Sequence, residues 1–434
     1  MHIEMKKIVL LFFVAVMFAV QSCGIYGKYK SETVSADTIS VPTYTDVFTD
    51  PQLCGLIAVA LHNNYDLKIA HEHVVQAEAQ LLGTKLAYIP SVYAAPGVSY
   101  QSAGAAGQLN FSFAQASWEI DIFGRLANRK RMANALKSEM LDYEQAARTE
   151  LVAAVAQLYY MRDMLNSQMK VIDLAIDTRR KSVETMRALK EAGSSDEAAV
   201  SQFEASYYAA RAQKKDIELA MVQTDNALRK LLCCDSVELQ FNGIAADIGS
   251  LGVESVNLQS LRHRPDVRAM ERELEQAFYG VNLARANCCP SITISGNAGM
   301  ILSGGFVFEA VGSLLQPIFN SGRNIVEVRV SKSKLEESKY AYANALMKAG
   351  LEVNDAIAAR RKYQQKVAEY DSEVTALQRA FDATQTKMDL GVGTYLEVLI
   401  AQNNLLDSQI EQIRNIYNCR LANVNLYHAI GGGR

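Results

Sequence analysis

Few residues in this sequence have the types and spacing that chemistry needs. Glu119 and Asp121 stand two apart and could form an acid–base pair. They alternate with Trp118 and Ile120, however, which is the pattern of a strand with one polar face, so structure or lining polarity is the expected role. His71 and His73 are also two apart, and on a helix that spacing gives no shared face for a metal. The remaining histidines are dispersed. Four of the seven cysteines form the adjacent pairs Cys233-Cys234 and Cys288-Cys289. Neighbouring cysteines seldom bridge each other and lack zinc-ligand spacing, so they are expected to be small packing residues. A GxxxxGK[ST] phosphate loop is absent. The balance of 44 Lys+Arg against 47 Asp+Glu excludes the basic excess of a nucleic-acid binder. The expectation is no catalytic residue, no metal, no cofactor, no nucleic acid and no enzyme.

The remaining information lies in the elements. Lys6 and Lys7 precede an apolar run, Ile8 to Val20, too short to cross a bilayer comfortably. It leads to Val20-Gln21-Ser22-Cys23, which resembles a bacterial lipobox and makes Cys23 the expected lipidated residue. Residues 1–22 then form a lipoprotein signal and 23–52 a lipid-anchored tail. Beyond the tail the chain is written twice. Asn64-Tyr65-Asp66 and Pro90-Ser91 recur as Arg264-Pro265-Asp266 and Pro290-Ser291, offset by 200. Phe123-Gly124-Arg125 matches Ser321-Gly322-Arg323, and Gly193 matches Gly393. Two repeats are expected, 53–245 and 246–434, each reading helix, strand, strand, helix, helix.

Period-two alternation marks strands near 92–118 and 291–314. Leu109, Phe111 and Phe113 alternate with Asn110, Ser112 and Ala114, and Pro96 interrupts the first strand. Each strand is about the length needed to cross a bilayer. Four strands cannot close a barrel, and open edges in lipid leave backbone groups unpaired at several kcal/mol each. Strands that span a membrane therefore require several chains to share one barrel. Long proline-free tracts permit very long helices. From Leu126 to Lys190 the apolar positions Leu136, Met140, Tyr143, Ala147, Leu151, Leu158, Leu165, Ile172 and Ile176 form one stripe. The second copy repeats this at Val367, Tyr370, Val374, Leu377, Phe381, Thr384 and Met388, and its partner helix at Leu396, Leu399, Leu406, Ile410, Ile413, Tyr417, Val424 and Tyr427. The residues thus point to long coiled-coil α-helices plus a transmembrane β-barrel shared between chains, with four strands per chain.

Trp118-Glu119-Ile120-Asp121-Ile122-Phe123-Gly124-Arg125 resembles the strand-to-helix signature of the TolC-like outer membrane factors. Pro317 to Arg323 is similar to their second signature, and Leu261 to Val267 to their second helix start. With the lipobox, the resemblance points to the NodT-like lipoprotein branch. It implies a homotrimer whose helices form a long coiled-coil helical barrel and whose strands form one twelve-stranded β-barrel. That trimer would be lodged in outer-membrane lipid and extend into the periplasm, the exit duct for an inner-membrane pump of RND or ABC type and a periplasmic adaptor. It implies strand–helix junctions at Trp118, Gly124, Arg125, Gly322 and Arg323. It further implies adaptor-docking tips at Gly193, Ser194, Gly391, Gly393 and Thr394, and an entrance gate at Glu397. Ile400 stands where the resemblance implies a second gate carboxylate. A lipid-anchored periplasmic coiled-coil scaffold without channel activity is the alternative, and the four strands argue against it.

Overall fold

The computed structural model describes residues 27–31, 43–103, 106–234, 260–301, 305–315 and 321–432. The expected leader, Cys23, the signature residues 317–320 and the boundary at 245–246 lie outside the described residues. The elements are α1 (Tyr44–Val47), α2 (Pro51–Asn63), α3 (Tyr65–Leu86), β1 (Ser91–Ala103), β2 (Ala106–Ile120), α4 (Arg125–Glu191) and α5 (Glu197–Leu232). A 3₁₀ turn (Ser260–His263) leads into α6 (Pro265–Ala286), β3 (Ser291–Ile301), β4 (Phe306–Leu315), α7 (Arg323–Asp389) and α8 (Tyr395–Ala429). Helix, strand, strand, helix, helix therefore occurs twice. The helices α4 and α7 have 67 residues each. At about 1.5 Å per residue, each is on the order of 100 Å long. Among the described residues no helix is long and apolar enough to cross a membrane.

The chain divides into two compact units. The first holds Ala70–Glu144 and Pro265–Leu346, together with described residues of the N-terminal tail. Its sheet is fully antiparallel in the order β1-β2-β3-β4. Alongside it, Asp142 is buried on α4 and pairs with Arg268 of α6 at 2.5 Å. Burial raises the Asp142 carboxyl above its ordinary range, and Arg268 and Arg272 pull it back. The tail lies along α6: Asn282 donates to the Gly27 carbonyl at 3.2 Å, and Tyr29 packs edge-on against Phe278. Burial beside Glu271 pushes the Tyr29 phenol up to about 12.

The second unit holds Gln145–Arg264, Met347–Arg434 and the described residues of Ala36–Ile69. Its main core joins Leu53, Ile57 and Ala60 of α2 to Val152, Val155 and Ala156 of α4, Leu232 of α5 and Tyr427 of α8. Each large aliphatic side chain buried there contributes about 1.5–3 kcal/mol. Asp50 caps α2 by accepting from the Gln52 amide and also receives the Tyr159 hydroxyl at 2.5 Å. Two further bonds show the duplication. Asn64 donates to the Leu231 carbonyl at the end of α5, and Arg264 donates to the Ala429 carbonyl at the end of α8. In each copy the residue before the helix that leads into the strands thus occupies a terminal carbonyl of the last helix, where intrahelical donors run out.

The apolar stripes differ between copies. From residue 361 to 388, α7 half-buries Tyr363, Val367, Tyr370, Val374, Leu377, Phe381, Thr384 and Met388, and apart from Gln385 exposes the rest. Alternating steps of four and three make this a heptad seam. The α4 stripe needs correction: Leu151, Leu165 and Ile172 are buried, but Tyr143 is exposed. The helix takes charged groups inside instead, where arginines meet them; Asp163 is paired with Arg420 at 2.9 Å. Leu396, expected in the α8 stripe, is also exposed.

Candidate functional site

Antiparallel neighbours directly opposite each other share a face, so the strand register sorts every side chain of the sheet. Val92 and Ala94 of β1 pair with Ala116 and Ala114 of β2, which pair with Gly296 and Ala298 of β3. Trp118 and Ile120 pair with Ile294 and Ile292, and β4 continues the same face with Phe306, Phe308, Ala310 and Leu314. The opposite face carries Gln115, Ser117 and Glu119, paired with Asn297, Ser295 and Thr293, then Glu309 and Ser313. One face is apolar, and the other is mostly polar with Tyr93, Val307, Val311 and Leu315 interspersed. The simple alternation expected around Phe113 does not hold, because a bulge lies between Ser112 and Ala114. It inserts one residue, so that Phe111 and Ala114, three apart, lie on the same face. A second irregularity, between Ala94 and Gly97, accommodates Pro96, because a break in the ladder leaves no bond for its missing donor to make. The Ser112 hydroxyl donates to the Ala95 carbonyl there at 3.1 Å.

Glycine shapes both strand–helix junctions, and carboxylates help to build the first. Gly124 and Gly322 have φ of 71° and 73°, in the left-handed region that side chains disfavour. Asp121 accepts from the amides of Leu126 and Ala127 at 3.1 and 2.8 Å, capping α4. Glu119 accepts from Arg125 Nε at 2.7 Å. Both carboxylates are therefore occupied structurally. The Asp121 cap was not foreseen, although an acid a few residues before a helix is the signal for one. Trp118 donates its indole N–H to the Tyr88 carbonyl at 3.0 Å. A polar cavity of about 320 Å³ lies beside this junction, lined in part by Glu119, Arg125, Arg129, Asn287 and Glu327. Cys289 also lines it, and Cys288 and Cys289 turn their thiols back toward the Ala284 and Arg285 carbonyls. Cys234 packs against the core around α2.

In the second unit both hairpin tips close alike. Gly193 and Gly391 have φ of 73° and 74°. The Ser194 and Val392 amides return to the Leu189 and Lys387 carbonyls. Asp196 caps α5 through the Ala199 amide and Thr394 caps α8 through that of Glu397. The conformational partner of Gly193 is thus Gly391, offset by 198, and not Gly393 as the sequence spacing suggests. Gly393 has its own constraint, since a Cβ there would come within 2.9 Å of the Met388 nitrogen. The tips share a core of Val183, Met186, Ala199, Val200 and Phe203, with Met388, Tyr395 and Leu399 packed against it. Arg179 is buried above it, donating to the Ser206 carbonyl and to Asn403, and its burial lowers the guanidinium below its ordinary value. Glu397 is exposed in the first turn of α8, where a negative charge favours the helix dipole, and Ile400 is exposed one turn on.

A two-faced sheet open at both edges, joined to helical hairpins of this length, defines a subunit of a membrane channel. The chain belongs to the outer membrane efflux protein family, whose model matches residues 56–233 and 258–432. It is 26% identical over 425 residues to the probable outer membrane lipoprotein SilC of Salmonella typhimurium, covering 91% of this chain and 90% of that one. It is 28% identical over 433 residues to the toluene efflux pump outer membrane protein TtgC of Pseudomonas putida, covering 94% and 88%. The open state of the Neisseria gonorrhoeae MtrE outer membrane channel superposes with a TM-score of 0.82 at 24% identity, covering 94% and 98%. This protein is an outer-membrane exit duct for efflux, with the TolC-like fold.

The sheet register makes one direct prediction. Ala114→Arg places a charge on the apolar face near mid-strand and should cost about 2–4 kcal/mol of assembly in lipid. Gln115→Arg, one residue on, points to the polar face and should assemble normally. Outer-membrane yield of heat-modifiable oligomer compares the two, and equal yields would overturn the face assignment.

Proposed function

We propose that three copies of this chain close a single twelve-stranded barrel and pass substrates outward from an inner-membrane pump and a periplasmic adaptor. The observation that carries this reading is the sheet. Among the described residues β1 and β4 each pair on one side only, and β4 exposes all ten residues. In lipid, such edges must be paired, and a second copy supplies the complementary strand. The pump is of RND or ABC type, and the hairpin tips are the adaptor-facing end. Residues 1–22 are removed, Cys23 carries lipid, and 23–52 form the tail. The copies are 53–245 and 246–434, with strands near 92–118 and 291–314 forming the barrel. Trp118, Gly124, Arg125, Gly322 and Arg323 shape the junctions. The lipoprotein relative and the course of the tail along α6 support the anchor. Native mass spectrometry of the mature protein should give three chains, each beginning at Cys23 with added acyl mass. A folded, membrane-embedded monomer would overturn the shared barrel.

Gly193, Ser194, Gly391, Gly393 and Thr394 dock the adaptor. Their support is the matched tip geometry, with paired left-handed glycines and paired caps. Gly393→Trp should abolish transport and adaptor cross-linking while oligomers still reach the outer membrane. Survival of both would place docking elsewhere.

Glu397 is the gate carboxylate. Threefold symmetry would bring three copies around one axis, and an acidic ring favours cations. Its exposure, and the absence of a charged partner among the described residues, leave it available for that role. Glu397→Gln should lower cation preference and weaken block by multivalent cations in bilayer recordings. Unchanged reversal potential and block would reduce Glu397 to a first-turn helix charge.

A further inference from the structure

In the first unit α3 and α4 run antiparallel, and their facing charges recur every seven residues. His71 Nδ1 lies 3.4 Å from the Glu144 carboxylate, and Lys137 Nζ lies 2.9 Å from that of Glu78. One more step of seven along each helix, toward the sheet, leads to Lys85 and Lys130, which that register sets at the next rung. Here two cations replace an acid–base pair. Both lysines are exposed, and neither pairs with a carboxylate among the described residues. The neighbouring Asp121 is taken up by the Leu126 and Ala127 amides. Like charges at one rung repel, and an anion between them removes the repulsion.

The surroundings indicate which anion. Lys130 Nζ sits 5.9 Å from the centre of the Tyr88 ring, and the Trp118 indole is tied to the Tyr88 carbonyl. Trp118 lies on the apolar face of the sheet, near its helix end. Ile89 and Ile122 are exposed beside it. Tyrosine and tryptophan next to exposed aliphatics mark the level where hydrocarbon gives way to headgroups. We propose that Lys85 and Lys130 jointly bind the phosphate of an anionic phospholipid headgroup, with Tyr88 and Trp118 against its glycerol region. The second copy serves as an internal contrast. Its equivalents are Arg285, Cys288 and Val328, so the paired cations and the tyrosine are missing and each chain has one such site.

The inference rests on the sheet spanning the outer membrane, and the experiment reports on the two separately. Mature protein in neutral detergent is titrated with phosphatidylglycerol or phosphatidylcholine, and bound lipid is counted by native mass spectrometry. Wild type should retain phosphatidylglycerol at up to one per chain and prefer it over phosphatidylcholine at least tenfold. The double variant Lys85→Gln, Lys130→Gln should lose that preference, while Lys215→Gln, a charge removed elsewhere, should keep it within twofold. Lys85→Glu makes the third rung an opposite-charge pair. It should abolish lipid retention while leaving the thermal midpoint of the lipid-free protein unchanged or raised. Equal retention by wild type and the double variant overturns the proposal. So does displacement of the lipid by millimolar inorganic phosphate, which would mark a free-anion site. Oligomer number and bilayer conductance, read on the same samples, test the channel itself.

Discussion

A backbone amide placed in hydrocarbon has no water to bond, and the architecture follows from that fact. Four antiparallel strands satisfy their inner amides among themselves and leave two rows unsatisfied at the outer edges. The helices meet no such constraint, since among the described residues none is long and apolar enough to cross a membrane, and their backbone amides bond within each helix. The edge rows demand neighbours, and identical chains are the simplest source of complementary edges. Side-chain chemistry then need only satisfy the two solvents, with Ala116, Trp118, Ile294 and Phe308 on one face and Ser117, Glu119, Thr293 and Glu309 on the other.

Duplication was legible because its landmarks are residues whose backbone or side-chain roles cannot be exchanged freely. Gly124 and Gly322 recur because a left-handed turn must recur, and Pro90 and Pro290 because a helix must release a strand. The heptad seam on α7 was also legible, since Val367 to Met388 carry it in plain spacing. The α4 seam was less so. A stripe read from apolar letters cannot know that Asp142 and Asp163 enter the interior, because the arginines that admit them come from α6 and α8.

The sheet shows the same limit. Alternation reveals that a strand exists, but a bulge is a relation between two strands, and nothing local at Phe113 announces it. The tip glycines show a subtler version. Gly193 and Gly393 share an offset with other landmarks, yet the torsions pair Gly193 with Gly391. Spacing reports ancestry, while φ reports the work that a residue does. Asn64 and Arg264 were visible as helix starts. Their bonds to Leu231 and Ala429 were not, being made to carbonyls 167 and 165 residues away.

Those two bonds bear on the order of events during export. Each joins the beginning of a repeat to the end of the same repeat. The first can therefore form as soon as α5 has emerged, while α6 to α8 are still in transit. Arg264 differs in that it also pairs with Glu352, inside the second copy's long helix, at 2.7 Å. Its guanidinium is almost wholly buried, so it stays costly until both acceptors have arrived. The neutral clasp thus suits the half that is made first, and the charged clasp suits the half whose partners arrive last.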